Sequence, residues 1–369
     1  MVAANRRGMT MNGLLPEGLR DRLPPEAEAL AQLVRVLTGA CAAHGYERVA
    51  PPLVEYETSL AAEGRHLLRF TDPVSQQTLA LRSDITGQVA RIATTRLATA
   101  PRPLRLCYAG PVLRVKGDQL SPARERTQAG AELIGSDSAA AAAEVLGVAL
   151  AALGAAGLAG LSVDVTMPSL VADLAAAGWP LGSASLADVQ RMLDGKDVGA
   201  LRGAGAAAFA PLIAAAGPVA PAIAALRQLD LPDAVHGRLD AIAALATGLT
   251  RATVTLDPTE RHGFEYQTWL GFSLFGAGLA SEVGRGGSYC LPGGEAAVGF
   301  SLYVDGLVDL GLGQVPARRL LVPAGTPADV AAGLRDDGWV TVAELPGLAA
   351  GAAAMRCSHR WNGSAVVPA

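Results

Sequence analysis

The chain has 369 residues, half of them hydrophobic, with 17% charged and a net charge of −4. That apolar content excludes a disordered polypeptide and is enough for one large domain with a smaller companion. Only two lysines occur, Lys116 and Lys196, and no basic run tracks a phosphate backbone, which weighs against a nucleic-acid partner.

The four cysteines, Cys41, Cys107, Cys290 and Cys357, are far apart. Their spacing suggests neither a disulfide framework nor a zinc site, so no metal is expected and reduced thiols in a cytoplasmic protein are. Arg6 and Arg7 are followed by no apolar region, so no secretory leader is expected. Two uncharged runs, Val145–Val163 and Gly203–Leu226, imitate membrane spans in length. Both are mostly Ala and Gly. The first is interrupted by Gly154, Gly157 and Gly160, the second by Pro211, Pro218 and Pro221, so both are expected to pack within a protein rather than cross a membrane.

In chain order, Pro24-Pro25-Glu26 opens a helical pattern through Leu30, Leu33, Val34 and Leu37 that stops at His44-Gly45. Tyr46–Val49 follows as a strand, and Pro51-Pro52 marks a sheet edge or a partner contact. Thr78–Leu81 is a short strand. Asp84 or Thr86 is placed to cap the helix that follows through Ile92. Leu104–Tyr108, Val112–Val115 and Thr127–Ile134 are read as antiparallel strands. Ser136-Asp137-Ser138 caps an Ala-rich helix through Leu150, and Leu161–Val165 is the next strand. Residues 167–251 are helical. Strand-like sequence returns over 253–307, including Gly284-Arg285-Gly286-Gly287-Ser288-Tyr289. The last fifty residues alternate strand, helix and strand. The whole predicts an α+β protein with a mixed antiparallel sheet flanked by helices.

Polar residues cluster in Leu106–Gly135, LCYAGPVLRVKGDQLSPARERTQAGAELIG. Gln128 and Glu132 are four apart on a strand and face the same way. With Asp84 they present two carboxylates and an amide, a set suited to an ammonium group. Arg114 and Arg124 bracket the turn before them.

An Arg before the loop and Gln-x-Gly-x-Glu after it resembles motif 2 of class II aminoacyl-tRNA synthetases, in the form found in histidyl-tRNA synthetase. Asp84-Ile85-Thr86 resembles that family's Glu-Gly-Thr, whose Glu contacts the amino group of bound histidine. Glu260–Leu274 resembles its histidine-specific segment, and Gly286-Gly287-Ser288-Tyr289 its Gly-Gly-Arg-Tyr. The resemblance implies a class II synthetase-like core over 1–316, a helical insertion over about 167–251, and a small α/β tail over 317–369. It implies a histidine site of Asp84, Thr86, Arg114, Gln128, Glu132, Glu265, Tyr266 and Tyr289, with Arg114 on the carboxylate.

The departures fall on nucleotide chemistry. Lys116 stands where the family has an acid, and Ser121-Pro122 where it has Gly-Arg. Setting Thr268 on the family Thr puts Glu260 at the catalytic Arg position, with Arg261 one residue away and so on the opposite face of a strand. Gly306 occupies the position of the motif 3 Arg that grips the γ-phosphate. Amino-acid ligands kept and ATP ligands lost resemble the regulatory subunits of ATP phosphoribosyltransferase. That resemblance implies a noncatalytic subunit without cofactors, acting at the first step of histidine biosynthesis. Its partner would be a short-form catalytic phosphoribosyltransferase, histidine its allosteric ligand, and a homodimer within a hetero-oligomer its assembly, with no tRNA and no membrane. The alternative is an active histidyl-tRNA synthetase-like enzyme using ATP and histidine.

Overall fold

The computed structural model describes residues 14–60, 67–117, 122–261, 267–345 and 351–369. The chain opens with α1 (Glu26–Ala43), which buries Ala29, Leu33, Leu37 and Cys41, a stripe at helical spacing. It ends at His44, and Gly45 turns left-handed (φ +83°). Short strands β1 (Glu47–Arg48), β2 (Val54–Tyr56), β3 (Leu68–Thr71) and β4 (Thr78–Leu81) precede α2 (Thr86–Thr94). Next come β5 (Leu104–Leu113), β6 (Glu125–Ile134), α3 (Ala139–Ala155) and β7 (Ser162–Thr166). Ser138 caps α3, accepting a hydrogen bond from the Ala141 amide. The region 167–251 is helical as expected: α4 (Leu170–Ala176), α5 (Leu186–Asp194), α6 (Val198–Gly203), α7 (Ala210–Ala214), α8 (Val219–Leu226) and α9 (Asp233–Gly248), with a two-residue strand β8 (Gly217–Pro218) between α7 and α8. Strands β9 (Thr253–Asp257), β10 (Gln267–Phe275), β11 (Gly284–Cys290) and β12 (Ala296–Tyr303) lead into α10 (Asp305–Asp309).

Nine strands form the central sheet in the order β1-β5-β6-β12-β11-β10-β7-β9-β8. The block from β5 to β7 is antiparallel throughout, while β1 joins β5 and β9 joins β7 in parallel. α1 and α3 pack their apolar stripes with the sheet in one continuous core. A separate three-stranded sheet, β2-β4-β3, carries exposed Tyr56 and Phe70. The two strands expected over 104–115 are one, because Gly110-Pro111 does not break the ladder. β1 pairs with β5 only as far as Cys107, so Pro111 lies where that edge of β5 has no strand beside it and its missing N–H costs little. Arg82 covers that edge instead, its Nε donating to the Pro111 carbonyl at 2.8 Å.

The chain divides into two compact units at Gly313/Gln314. The second contains β13 (Arg319–Val322), α11 (Ala328–Asp336), β14 (Val340–Ala343), β15 (His359–Trp361) and β16 (Val366–Pro368), in a sheet ordered β14-β13-β15-β16. Its last two strands extend the expected strand-helix-strand pattern. Among the described residues no helix is long and apolar enough to cross a membrane, and no group of His, Cys, Asp or Glu has the makings of a metal site.

Candidate functional site

The central strands carry an unusual row. In register across the sheet stand Glu132 (β6), Gly299 (β12), Gly287 (β11), Gly271 (β10) and Thr166 (β7). Residues opposite one another in a ladder share a face. Three adjacent strands therefore lack side chains on that face, which leaves a floor of bare backbone. Glu132 leans over it from one end: a Cβ on Gly299 would lie 1.6 Å from Glu132 Oε2. Gln267 leans over it from the other, its Nε2 donating to the Gly286 carbonyl at 2.9 Å. Its Oε1 and the buried Thr166 hydroxyl flank Gly271, and neither has a hydrogen-bond partner among the described residues. The next row on the same face is Tyr108, Gly130, Ser301, Arg285 and Ser273. Gly130 admits the Tyr108 phenol, since a Cβ there would meet its oxygen at 2.5 Å.

Over this floor lies a pocket of roughly 330 Å³, counting its open mouth, lined by Asp84, Glu132, Gln267, Arg285, Tyr289 and Ser301 among others. Glu132 is buried at the base. Tyr289 donates to its Oε2 at 2.8 Å and Tyr108 to its Oε1 at 3.1 Å. Tyr108 also lies within hydrogen-bond reach of the Thr86 and Ser301 hydroxyls, at 3.1 and 3.0 Å. Burial, helped by the negative charge of Asp84, raises the Glu132 carboxyl to about 8, although hydrogen bonds from Tyr289, Thr86 and Tyr108 oppose the shift. Burial likewise pushes the Tyr108 phenol well above its ordinary value, so it stays a donor.

Gln128 is wholly buried behind the pocket. Its Nε2 donates to Asp84 Oδ2 at 2.9 Å and to Ser301 Oγ at 2.7 Å, and its Oε1 accepts from the Ile85 amide at 3.0 Å. It positions Asp84 and does not line the pocket. Asp84 itself accepts from the Thr86 amide at 2.7 Å, so it supports the first turn of α2, although the residue at the cap position is Ile85.

The structure thus gathers Asp84, Thr86, Glu132 and Tyr289 at one pocket, with Gln128 behind them. Arg114 is not among the residues lining that pocket: its guanidinium carbon lies 5.7 Å from the ring centre of Tyr303, over which Arg126 also lies at 4.4 Å. Glu265 and Tyr266 lie outside the described residues. Tyr108, Ser301, Gln267 and Arg285 were not foreseen as site residues. A Tyr facing a Gly across a hairpin was the available signal for Tyr108; the other three require the register.

At the end of the face where the resemblance would put the nucleotide, charged side chains pair within the chain. Asp305, buried next to Gly306, pairs with Arg22 and accepts from the Thr127 amide at 2.7 Å. Arg20 reaches Asp309 at 3.1 Å, and the Arg124 amide donates to the Gly18 carbonyl at 2.8 Å. Arg261, the cation next to the Glu260 position, donates to Gln190 on α5 at 2.9 Å. It therefore serves the helical region.

The floor runs from the motif 3-like strand β12 onto β11 and β10, beside the motif 2-like strand β6; the chain is a histidyl-tRNA synthetase-like protein, for residues 18–307 match the family model described as histidyl-tRNA synthetase. Within that class, the protein called ATP phosphoribosyltransferase regulatory subunit in Paramagnetospirillum magneticum is 46% identical over 96% of this chain and 97% of its own length. The chain belongs to that regulatory-subunit family. The fold agrees with the crystal structure of an ATP phosphoribosyltransferase regulatory subunit/histidyl-tRNA synthetase from Bacillus halodurans, with TM-score 0.80, 24% identity, and 94% of this chain and 96% of that one covered. It agrees also with a chain of the ATP phosphoribosyl transferase (HisG:HisZ) complex from Thermotoga maritima, with TM-score 0.60, 18% identity, and 74% and 97% covered.

Proposed function

We propose that this chain is a noncatalytic regulatory subunit of ATP phosphoribosyltransferase that activates a short catalytic subunit and senses free histidine in the pocket over the glycine floor. The observation that carries the reading is the contrast within one sheet face: a polar pocket is kept at Asp84, Glu132 and Tyr289, while the nucleotide end holds Gly306 and an internal Asp305–Arg22 pair. The names of the relatives supply the partner, an ATP phosphoribosyltransferase.

The two rows divide the ligand. Asp84, held by Gln128 beside Ser301, takes the ammonium group, whose N–H donors suit a carboxylate. Glu132 lies one row deeper, roughly 6.6 Å along the strands. That depth suits the imidazole rather than the ammonium group to which sequence reasoning assigned it. Histidine bound here favours an assembly of lower activity, and a coupling of about 1–3 kcal/mol suffices for feedback. The subunit pairs with a second copy through the edge at Pro51-Pro52 and the exposed side of β2-β4-β3.

The test is co-purification with a short phosphoribosyltransferase and assay of its activity with and without histidine. Complex formation, activation and histidine inhibition are expected; no complex and no activation overturn the proposal. An active synthetase would instead show histidine-dependent pyrophosphate exchange, which Glu260 and Gly306 disfavour, because a transferring phosphate needs a placed cation.

A further inference from the structure

Resting on the reading of this pocket as a histidine site, we propose that Arg285 binds the ligand's α-carboxylate, the role expected of Arg114. Among the described residues lining the pocket, Arg285 is the only cation. Arg114 is not among them and lies against Tyr303.

The register gives Arg285 the right neighbour. It stands opposite Ser301 on the adjacent strand, on the pocket face. The Ser301 hydroxyl accepts from the same Gln128 amide that holds Asp84. A carboxylate for the ammonium group and a guanidinium for the carboxylate therefore flank one serine. An α-amino acid carries both groups on a single carbon, so their partners must be side by side.

The support behind Arg285 fits the role. Glu282 forms an ion pair with it, and Ser273 donates to Glu282 Oε2 at 2.9 Å, which anchors the pair to β10. A guanidinium has five N–H donors in a planar fork, a geometry that can serve more than one carboxylate. The side chain is about a quarter exposed, which leaves its charge only partly screened. Arg285 is neither in the motif 2-like stretch nor in the nucleotide end. Its recruitment lets the pocket hold a whole amino acid after the catalytic-Arg position has become Glu260.

The experiment compares L-histidine with histamine, which lacks the carboxylate, by titration calorimetry on the full chain and on Arg285→Gln. The intact chain is expected to prefer histidine by roughly 10- to 100-fold, the range of a charge-assisted hydrogen bond. Arg285→Gln is expected to bind histidine no better than histamine, with histamine affinity unchanged. Arg285→Lys keeps the charge beside Glu282 but loses the fork, and is expected to lose about tenfold for histidine alone. If the intact chain binds neither compound, the site reading fails and the inference with it. If the intact chain binds histidine but either variant keeps full discrimination, or Arg285→Gln weakens both compounds equally, the site reading stands and the role of Arg285 is overturned.

Discussion

The two ends of the face formed by β6 and β12 make an instructive pair. At one end Glu132 and Gly299 line a pocket; at the other Arg126 lies over the Tyr303 ring, and Asp305 pairs with Arg22 and accepts from the Thr127 amide. The strands run unbroken between them, so the difference is in side chains and not in the frame. Where the buried carboxyl faces bare backbone, a ligand can enter. Where the buried carboxylate faces an arginine of the same chain, the carboxylate is paired internally and the pair contributes to folding. Within one sheet, loss of a ligand site and gain of an internal contact can be the same event.

The largest effect that would sharpen this contrast is at the open end. Glu132→Ala should lower histidine affinity by about 100-fold, as expected when a buried hydrogen-bonding partner of the ligand is removed, and histidine inhibition of the assembled enzyme should disappear. Inhibition that survives the substitution breaks the assignment of the pocket. At the closed end, Asp305→Ala removes the partner of Arg22 and the acceptor of the Thr127 amide. It should cost about 2–4 kcal/mol in denaturant unfolding, while histidine affinity shifts less than threefold. Collapse of histidine binding in a folded Asp305→Ala would show that the two ends are not independent.

A subtler separation uses pH. The folded-state pKa of Glu132, about 8, lies above its ordinary value of 4.5. The folded chain therefore binds more protons than the unfolded chain between those values. This group's contribution is fully present below pH 4.5 and is lost as pH rises through 8. Stability of the ligand-free chain should fall across this window with a slope of at most about 1.4 kcal/mol per pH unit from this residue. In Glu132→Gln that component should vanish; an identical pH profile in both proteins argues against a buried, protonated carboxyl. The smallest effect is expected at Arg261→Ala, whose contact is with Gln190. It should change stability by about 0.5 kcal/mol or less and leave histidine affinity alone. A tenfold loss would place Arg261 at the pocket after all.

The sequence shows much of the frame because its signals are local. Ser138 caps α3, the helical pattern of α1 buries its apolar stripe, and Gly45 ends that helix, each through neighbours a few residues away. The site is less legible because it is built across strands. Gln128 is visible as a polar residue on a pocket strand, but whether it meets a ligand or holds Asp84 depends on Ser301, 173 residues later. Arg114 was expected at the carboxylate on order along the chain; its contact with Tyr303 is one that only the fold brings about. Tyr108 reads as an ordinary core aromatic until Gly130 stands opposite it.

The glycine floor has a thermodynamic consequence of its own. Side chains that line a pocket lose rotamer freedom when a ligand orders them, a cost of about 0.5–1.5 kcal/mol for each flexible one. Gly299, Gly287 and Gly271 have no rotamers to lose, and their backbone is already held by the ladder on both sides. Across three strands the surface under the ligand is equally ordered before and after binding. The entropy of recognition is then concerned mainly with the ligand and with the few side chains at the rim. A small metabolite with few contacts gains most from a receptor built this way.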